Sequence, residues 1–456
     1  MKRTDLAAFL LLLLTACHEP TAFNESPDWP DIFPDYIGVT VPEGMAPLTF
    51  TPCDGSHFKV AKTQQGDTLW YTVSTWTKGE KTGTRYRPFP VYISHDAIDS
   101  YIAYRLIEPG YESWYDMGIY QRNLASYKET AIATNRINNR GCINCHTFQN
   151  GQPELMLFHA RGANGGTVFV NGDDVRLLNL KEIGPHKQGV YPAWHPDGRY
   201  VVFSSNETHQ CFTMADEQPI EVYDATSDLI LMDLKTDSIL APDFLNTDSI
   251  WETFPSWSPD GTKLYYCAAD SVNAMPNDRG RVHYRLMCVD FNAVSGEFTR
   301  EAQCLFGNDS LSVSFPRLSP DGRLMLFTVS DFGTFPIWHK EANLWALDTE
   351  SGEAMPCDEL NSNDTESYHS WSSNGRWVIF SSRRDDGNFT RPFLAHIDAQ
   401  GRGSKPFELP TDNPLYHREL LRSYNVPEFI TGPVTVTPQE FAHVIQEEAR
   451  LATQRP

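Results

Sequence analysis

Short runs of alternating apolar and polar residues, broken by Gly, Pro, Asn or Asp, dominate this chain and predict strands rather than helices. In the second half the pattern repeats. Tyr191-Pro-Ala-Trp194-His-Pro-Asp-Gly198 precedes an apolar run ending at Phe203, and Phe254-Pro-Ser-Trp257-Ser-Pro-Asp-Gly261 precedes one ending at Tyr266. Phe315-Pro-Arg-Leu318-Ser-Pro-Asp-Gly322 leads to Phe327, and Tyr368-His-Ser-Trp371-Ser-Ser-Asn-Gly375 leads to Phe380. The tryptophan position, a leucine in the third copy, recurs after 63, 61 and 53 residues. Each copy reads as a hairpin. Pro presets φ, Asp bonds back to the backbone, and Gly takes a positive φ.

Between copies lie second hairpin signals, Leu229 to Thr236 and Asn343 to Gly352, so each repeat holds about four strands. That is the makeup of a propeller blade. The predicted fold is mainly β: a propeller of five or six blades over residues 151–410. Leu155 to Phe158 and Thr167 to Leu180, with Phe393 to Phe407, are expected to complete a closing blade from both chain ends. Trp194, Trp257 and Trp371 read as packing residues, and Asp197, Asp260 and Asp321 as turn formers. Ahead of the propeller, residues 38–107 read as a small β-rich domain with strands at Phe58 to Ala61, Thr68 to Ser74 and Val91 to Ser94. Residues 108–150 form a linker that includes Tyr111, Trp114, Tyr115, Met117, Tyr120 and Tyr127. Residues 411–456 are an extension whose single helix starts at Thr437-Pro438-Gln439-Glu440 and ends near Leu451.

The N-terminus changes the compartment. Lys2 and Arg3 precede an apolar run, Leu6 to Leu14, that is too short for a span of about 20 residues. Leu14-Thr15-Ala16-Cys17 then reads as a lipoprotein signal, giving a signal peptide over 1–16, lipidation at Cys17 and a Pro-rich tether over 17–37. A formal net charge of −22, from 59 acidic and 37 basic residues, argues against nucleic acid as a partner. The membrane is reached through the lipid anchor. His18 after the lipidated cysteine resembles outer-membrane lipoproteins of enteric bacteria, so the expected place is the cell envelope, at the outer membrane and facing the periplasm. Cys53, Cys211, Cys267, Cys288, Cys304 and Cys357 carry no assigned pairing.

Cys142-Ile143-Asn144-Cys145-His146 carries the chemistry. CxxCH is the attachment pattern of haem c: two thioethers from Cys142 and Cys145, with His146 as proximal iron ligand. A thioredoxin-type disulfide wants a strand before the motif and a helix after it, whereas Asn135 to Gly141 is turn-like and Phe148 to Pro153 a loop. The motif itself is expected in a loop or short helix. A zinc site would need a fourth ligand beside an adjacent Cys-His pair. His159 is the preferred distal ligand and Met156 the alternative, with Met117 and His186 also open.

The repeat resembles the TolB-type, WD40-like propeller repeat. The chain as a whole resembles bacterial lipoproteins that join a CxxCH segment to such a propeller. The likeness rests on Ile37 to Pro42, Ala46 to Leu48, Tyr104 to Tyr111, Cys142 to Phe148, Phe158 to Gly162 with Gly165 to Thr167, His369 to Arg376 and Phe380 to Arg384. It implies a cytochrome-like role. The expected function is a lipid-anchored monohaem c-type protein that exchanges electrons with an unknown periplasmic or membrane redox partner docked on the propeller. The alternative is a haem-free TolB-like binding or scaffold lipoprotein with a Cys142–Cys145 disulfide. A third reading is a haem-dependent or polysaccharide-acting enzyme, although no GxSxG, HExxH or phosphate loop is present and no catalytic residue is assigned.

Overall fold

A computed structural model describes residues 19–108, 115–162, 165–180, 189–213, 220–447 and 449–454. The signal peptide, Cys17, Tyr111, Trp114 and His186 lie outside the described residues. The chain divides into two compact units, residues 1–38 with 50–92, and 39–49 with 93–456.

The first unit is β-rich, with strands where the alternating runs predict them. His57–Gln65 and Thr68–Trp76 form a hairpin around Gly66, whose φ of +57° suits the two-residue turn. Tyr71, Phe89 and Phe50 fill its core, with Tyr71 and Phe89 stacked at 5.4 Å. The expected tether is partly built in. Ala22–Glu25 pairs in parallel with Thr82–Arg85, and Ile32–Phe33 pairs with Thr51–Pro52.

Among its described residues the second unit contains six sheets of four or five strands. Sheet I joins Tyr101–Ile107, Gly118–Asn123 and Glu129–Thr134 to Ser423–Ile430. Sheet II is Ile143–Phe148, Leu155–Ala160, Gly166–Asn171 and Asp174–Asn179. Sheets III to VI open with Val190–Trp194, Ile250–Trp257, Ser312–Leu318 and Glu366–Trp371, the four copies of the repeat. The first strands of II to VI lie side by side in order, and Ser423–Ile430 lies between those of VI and II. The arrangement is propeller-like.

The expected closing blade is corrected. Leu155–Ala160 and its neighbours build sheet II with the CxxCH strand, and Arg391–His396 with Phe407–Glu408 belongs to sheet VI. Segments far apart in the chain meet instead in sheet I, where Ser423–Ile430 runs antiparallel to Tyr101–Ile107. The sheets therefore draw on residues on both sides of 151–410.

Both faces of most strands are buried between neighbouring sheets. Leu157, Phe169 and Leu178 of sheet II meet Val201, Phe203 and Ile230 of sheet III, and Val202 and Leu229 on the other face meet Leu264 and Tyr266 of sheet IV. The turn chemistry is as predicted. Gly198, Gly261, Gly322 and Gly375 have φ of +66° to +74°, and Asp260 and Asp321 accept the Thr262 and Arg323 N–H groups at 3.0 and 3.1 Å. Trp257 and Trp371 donate across sheets to the carbonyls of Ala193 and Arg317, at 3.1 and 3.0 Å.

The C-terminal helix spans Pro438–Gln446, with Thr437 and Glu440 in a reciprocal capping box. It stops short of the expected Leu451. Arg450–Leu451 and Thr453–Gln454 instead add parallel edge strands to sheets II and III.

Candidate functional site

Cys142 to His146 is not a loop or short helix. Ile143–Phe148 is the first strand of sheet II, reached through the turn-like Asn135–Asn138. A regular strand sends residues three apart to opposite faces. Here the pairing jumps from Asn144↔His159 to Thr147↔Leu157, so Cys145 and His146 oppose one residue in a bulge. Cys145 takes a left-handed φ of +53°. The bulge re-aims the side chains, and Cys142, Cys145 and His146 all line one cavity of about 260 Å³.

The same bulge occurs in every sheet of the second unit. Tyr191, Phe254, Phe315, Tyr368 and Val426 stand where Cys145 stands, each at a register shift and each with φ between +46° and +53°. The strain of non-glycine residues in this region, about 1–2 kcal/mol each, is spent at the convergence of the six first strands. Tyr191, Phe254, Phe315 and Tyr368 meet there in sequence, with ring centroids 4.7, 4.0 and 4.9 Å apart. Pro192, Pro255, Pro316 and Pro427 follow the strained residue in four sheets, where the bulge asks for no ladder N–H. Sheets II and VI carry histidines instead, His146 and His369.

The cavity walls are aromatic and cationic. Tyr191, Phe315, Phe335, Trp338 and Tyr368 line it together with Arg105, Arg161 and Arg383. The Arg383 guanidinium sits 4.0 Å from the centroid of the Trp338 ring, and burial brings its pKa down to about 10. On the floor, Thr147 donates to Glu428 at 3.2 Å. Burial pushes the Glu428 carboxyl up to about 8, against the opposing pull of Arg317 and Thr147. Thr147, Arg317 and Glu428 also line a second cavity of about 450 Å³ among the Pro-Asp-Gly turns.

His146 is 3% exposed. Burial, then the nearby Arg105, takes its pKa down to about 3, so the ring is neutral at ordinary pH, and the Val426 carbonyl accepts from it. Its Nε2 is buried with no partner. Burial raises the Cys142 thiol, and both Cys142 and Cys145 are free thiols. Among the described residues no three His, Cys, Asp or Glu side chains gather as a bare metal ion needs.

The expected distal ligands lie elsewhere. Met156 is fully buried in the apolar core that sheets I and II share with Phe441 of the C-terminal helix. His159 pairs through Nδ1 with the hydroxyl of Thr167 on the next strand of sheet II at 2.8 Å, and its ring faces sheet III, 5.8 Å from Phe203. Neither residue lines the cavity. Both are on the second strand of the sheet, whose two faces are taken up by neighbouring sheets. Met117 accepts the Ile143 N–H at 3.4 Å and is likewise absent from the lining. His369 and the three arginines are the residues that sequence reasoning missed. The signal for His369 was its place in the fourth repeat, where the other three copies have Pro.

No protein-family model and no curated protein matches this chain. Among solved structures, the β-propeller domain of the trilobed protease from Pyrococcus furiosus is similar with a TM-score of 0.36 and 9% identity, over 78% of this chain and 99% of that domain. A puromycin-hydrolysing peptidase from Mycobacterium tuberculosis is similar with a TM-score of 0.39 and 12% identity, over 82% of this chain and 57% of that one. A prolyl endopeptidase gives 0.36 and 9%, over 77% of this chain and 42% of that one. The chain thus spans about half the length of those two peptidases.

Proposed function

We propose that this protein is a c-type haem carrier of the cell envelope, held on a six-bladed, TolB-like propeller and anchored through lipid at Cys17, that exchanges electrons with a docked partner. One observation carries the reading: Cys142, Cys145 and His146 share a cavity, and the buried Nε2 of His146 has no partner there. A histidine that gives one ring N–H to a carbonyl and keeps the other nitrogen as a bare lone pair is set up as a metal ligand. The thiols would hold the porphyrin by thioethers. Arg105, Arg161 and Arg383 would meet its carboxylates, and Tyr191, Trp338 and Tyr368 its faces. The bound haem would supply one-electron chemistry. A cavity of about 260 Å³ lies just under the roughly 300–1,000 Å³ of ordinary ligand pockets.

The test is a pyridine-haemochrome spectrum of the chain produced with haem-attachment machinery. One covalent haem per chain is expected, with the shifted α-band of a single thioether in Cys142→Ala or Cys145→Ala and none in the double variant. A chain that emerges haem-free, its thiols intact or bridged to each other, would favour the scaffold reading and overturn this one.

A further inference from the structure

Two histidines, not one, interrupt the prolines of the six bulges. His369 follows the strained Tyr368 in sheet VI just as His146 follows Cys145 in sheet II. Both side chains line the same cavity, and each is 3% exposed. Both ring nitrogens of His369 are buried without a partner at full hydrogen-bond geometry; the Leu326 and Phe315 carbonyls are the acceptors beside it, and a neutral ring can donate to just one of them. The Phe315 and Leu326 carbonyls lie beside its ring, much as the Val426 carbonyl lies beside His146. Phe315 and Val426 are themselves the strained bulge residues of sheets V and I, so the two histidines sit in matching surroundings. A buried imidazole with no partner costs of order 1–3 kcal/mol per unsatisfied group. Proline at that position would avoid the cost, and the repeat uses proline everywhere else.

Resting on the haem reading above, we infer that His369 is the second axial ligand of the iron, making the centre bis-histidine. Nitrogen ligands on both faces give a low-spin iron of lower potential than a His/Met pair and leave no open position for an exogenous ligand. The site would therefore be an electron carrier, not a haem that binds or turns over a small molecule.

His369→Pro is the informative variant, because Pro192, Pro255, Pro316 and Pro427 show that the bulge accepts proline. His369→Ala with added imidazole is its companion. In the full chain carrying haem, the unaltered protein is expected to be low-spin in both oxidation states and unreactive with carbon monoxide. His369→Pro should keep one covalent haem by pyridine haemochrome, become high-spin, and bind carbon monoxide when reduced. Imidazole should return His369→Ala to low spin. His159→Ala and Met156→Ala should leave the spectrum low-spin. A His369→Pro protein with full haem content that stays low-spin and inert to carbon monoxide overturns the assignment, as does a high-spin unaltered protein. Absence of covalent haem from the unaltered chain is a different result: it removes the haem reading itself, and the assignment with it.

Discussion

Gly141→Ala is expected to lose about 3 kcal/mol of stability, at the upper end of overpacking costs, and most of the covalent haem, with both cysteines intact. A Cβ at Gly141 would stand 2.0 Å from the Arg161 carbonyl oxygen and 2.8 Å from the Asn138 side-chain nitrogen. The nearer atom is backbone and has no rotamer to escape into. That carbonyl accepts from Asn138, and the Arg161 N–H donates to the Cys142 carbonyl at 2.8 Å. A methyl group there must part the first two strands of sheet II at their start, where Ile143 pairs with Ala160. Cys142 moves with the strand, away from Cys145 on the far side of the bulge. Gly280→Ala is the control, since its Cβ meets nothing within 4 Å, and a change within about 0.5 kcal/mol is expected. Denaturant melts and haemochrome spectra of both variants decide the matter; wild-type stability and haem content in Gly141→Ala would be the contrary result.

That crowding has no mark in the sequence, because the runs at Leu155 to Phe158 and Thr167 to Leu180 are legible as strands whereas the CxxCH strand that pairs with them is not. Four sheets announce themselves through an aromatic, a following Pro in three of them, and a Pro-Asp-Gly or Ser-Asn-Gly turn, features that each have a local cause. Asn144-Cys145-His146-Thr147-Phe148 occupies the same structural positions as Thr253-Phe254-Pro255-Ser256-Trp257, yet Cys and His replace the aromatic and the Pro. The residues that make the site chemically interesting erase the marks of its fold. Val426-Pro427 hides the sixth copy by carrying an aliphatic residue and no such turn. The closing strand was therefore sought too early in the chain.

His159 and Met156 fall outside the cavity for a related reason. His159 and Met156 were chosen for nearness in sequence and for the period of a strand, which correctly puts them on opposite faces. In stacked sheets those faces meet other sheets, and it is the bulge, where the two-residue period fails, that turns side chains toward the convergence. Cys142, Cys145 and His146 were legible from spacing alone. The cavity residues they meet are far off in sequence, Arg105 on sheet I and Arg383 and His369 on or beside the strands of sheet VI, and only His369, standing where the other repeats have Pro, leaves a mark in the sequence.

His339→Phe is expected to destabilise the fold by about 3–5 kcal/mol, the usual cost of stripping one partner from a buried ion pair. His339 is completely buried, with Nε2 3.1 Å from Glu221 and Nδ1 3.2 Å from Glu341. Glu221 lies on the long strand Ile220–Asp233 of sheet III, whereas His339 precedes the third strand of sheet V. The contact pins the hairpin that carries Thr208 to the segment that carries Phe335, Ile337 and Trp338, all four of them cavity residues. Burial alone would lower the His339 pKa, but hydrogen bonds from the ring to Glu221 and Glu341 outweigh it and raise the value to about 9. A folded pKa above the unfolded value of about 6.5 means that the protonated form is the stabilising one. Its contribution is complete below about pH 6.5 and is lost as pH rises through 9, a decline of roughly 3 kcal/mol by linkage. Chemical melts at pH 6 and pH 9, followed by tryptophan fluorescence, should show that decline in the unaltered chain and a flatter profile in His339→Phe. Adding Glu221→Leu to His339→Phe removes the stranded carboxylate and should recover most of the loss, because apolar replacement of both partners is often neutral. A double variant no more stable than His339→Phe, or a single variant with the same decline between pH 6 and pH 9, would show that the pair does not hold the hairpin over the cavity.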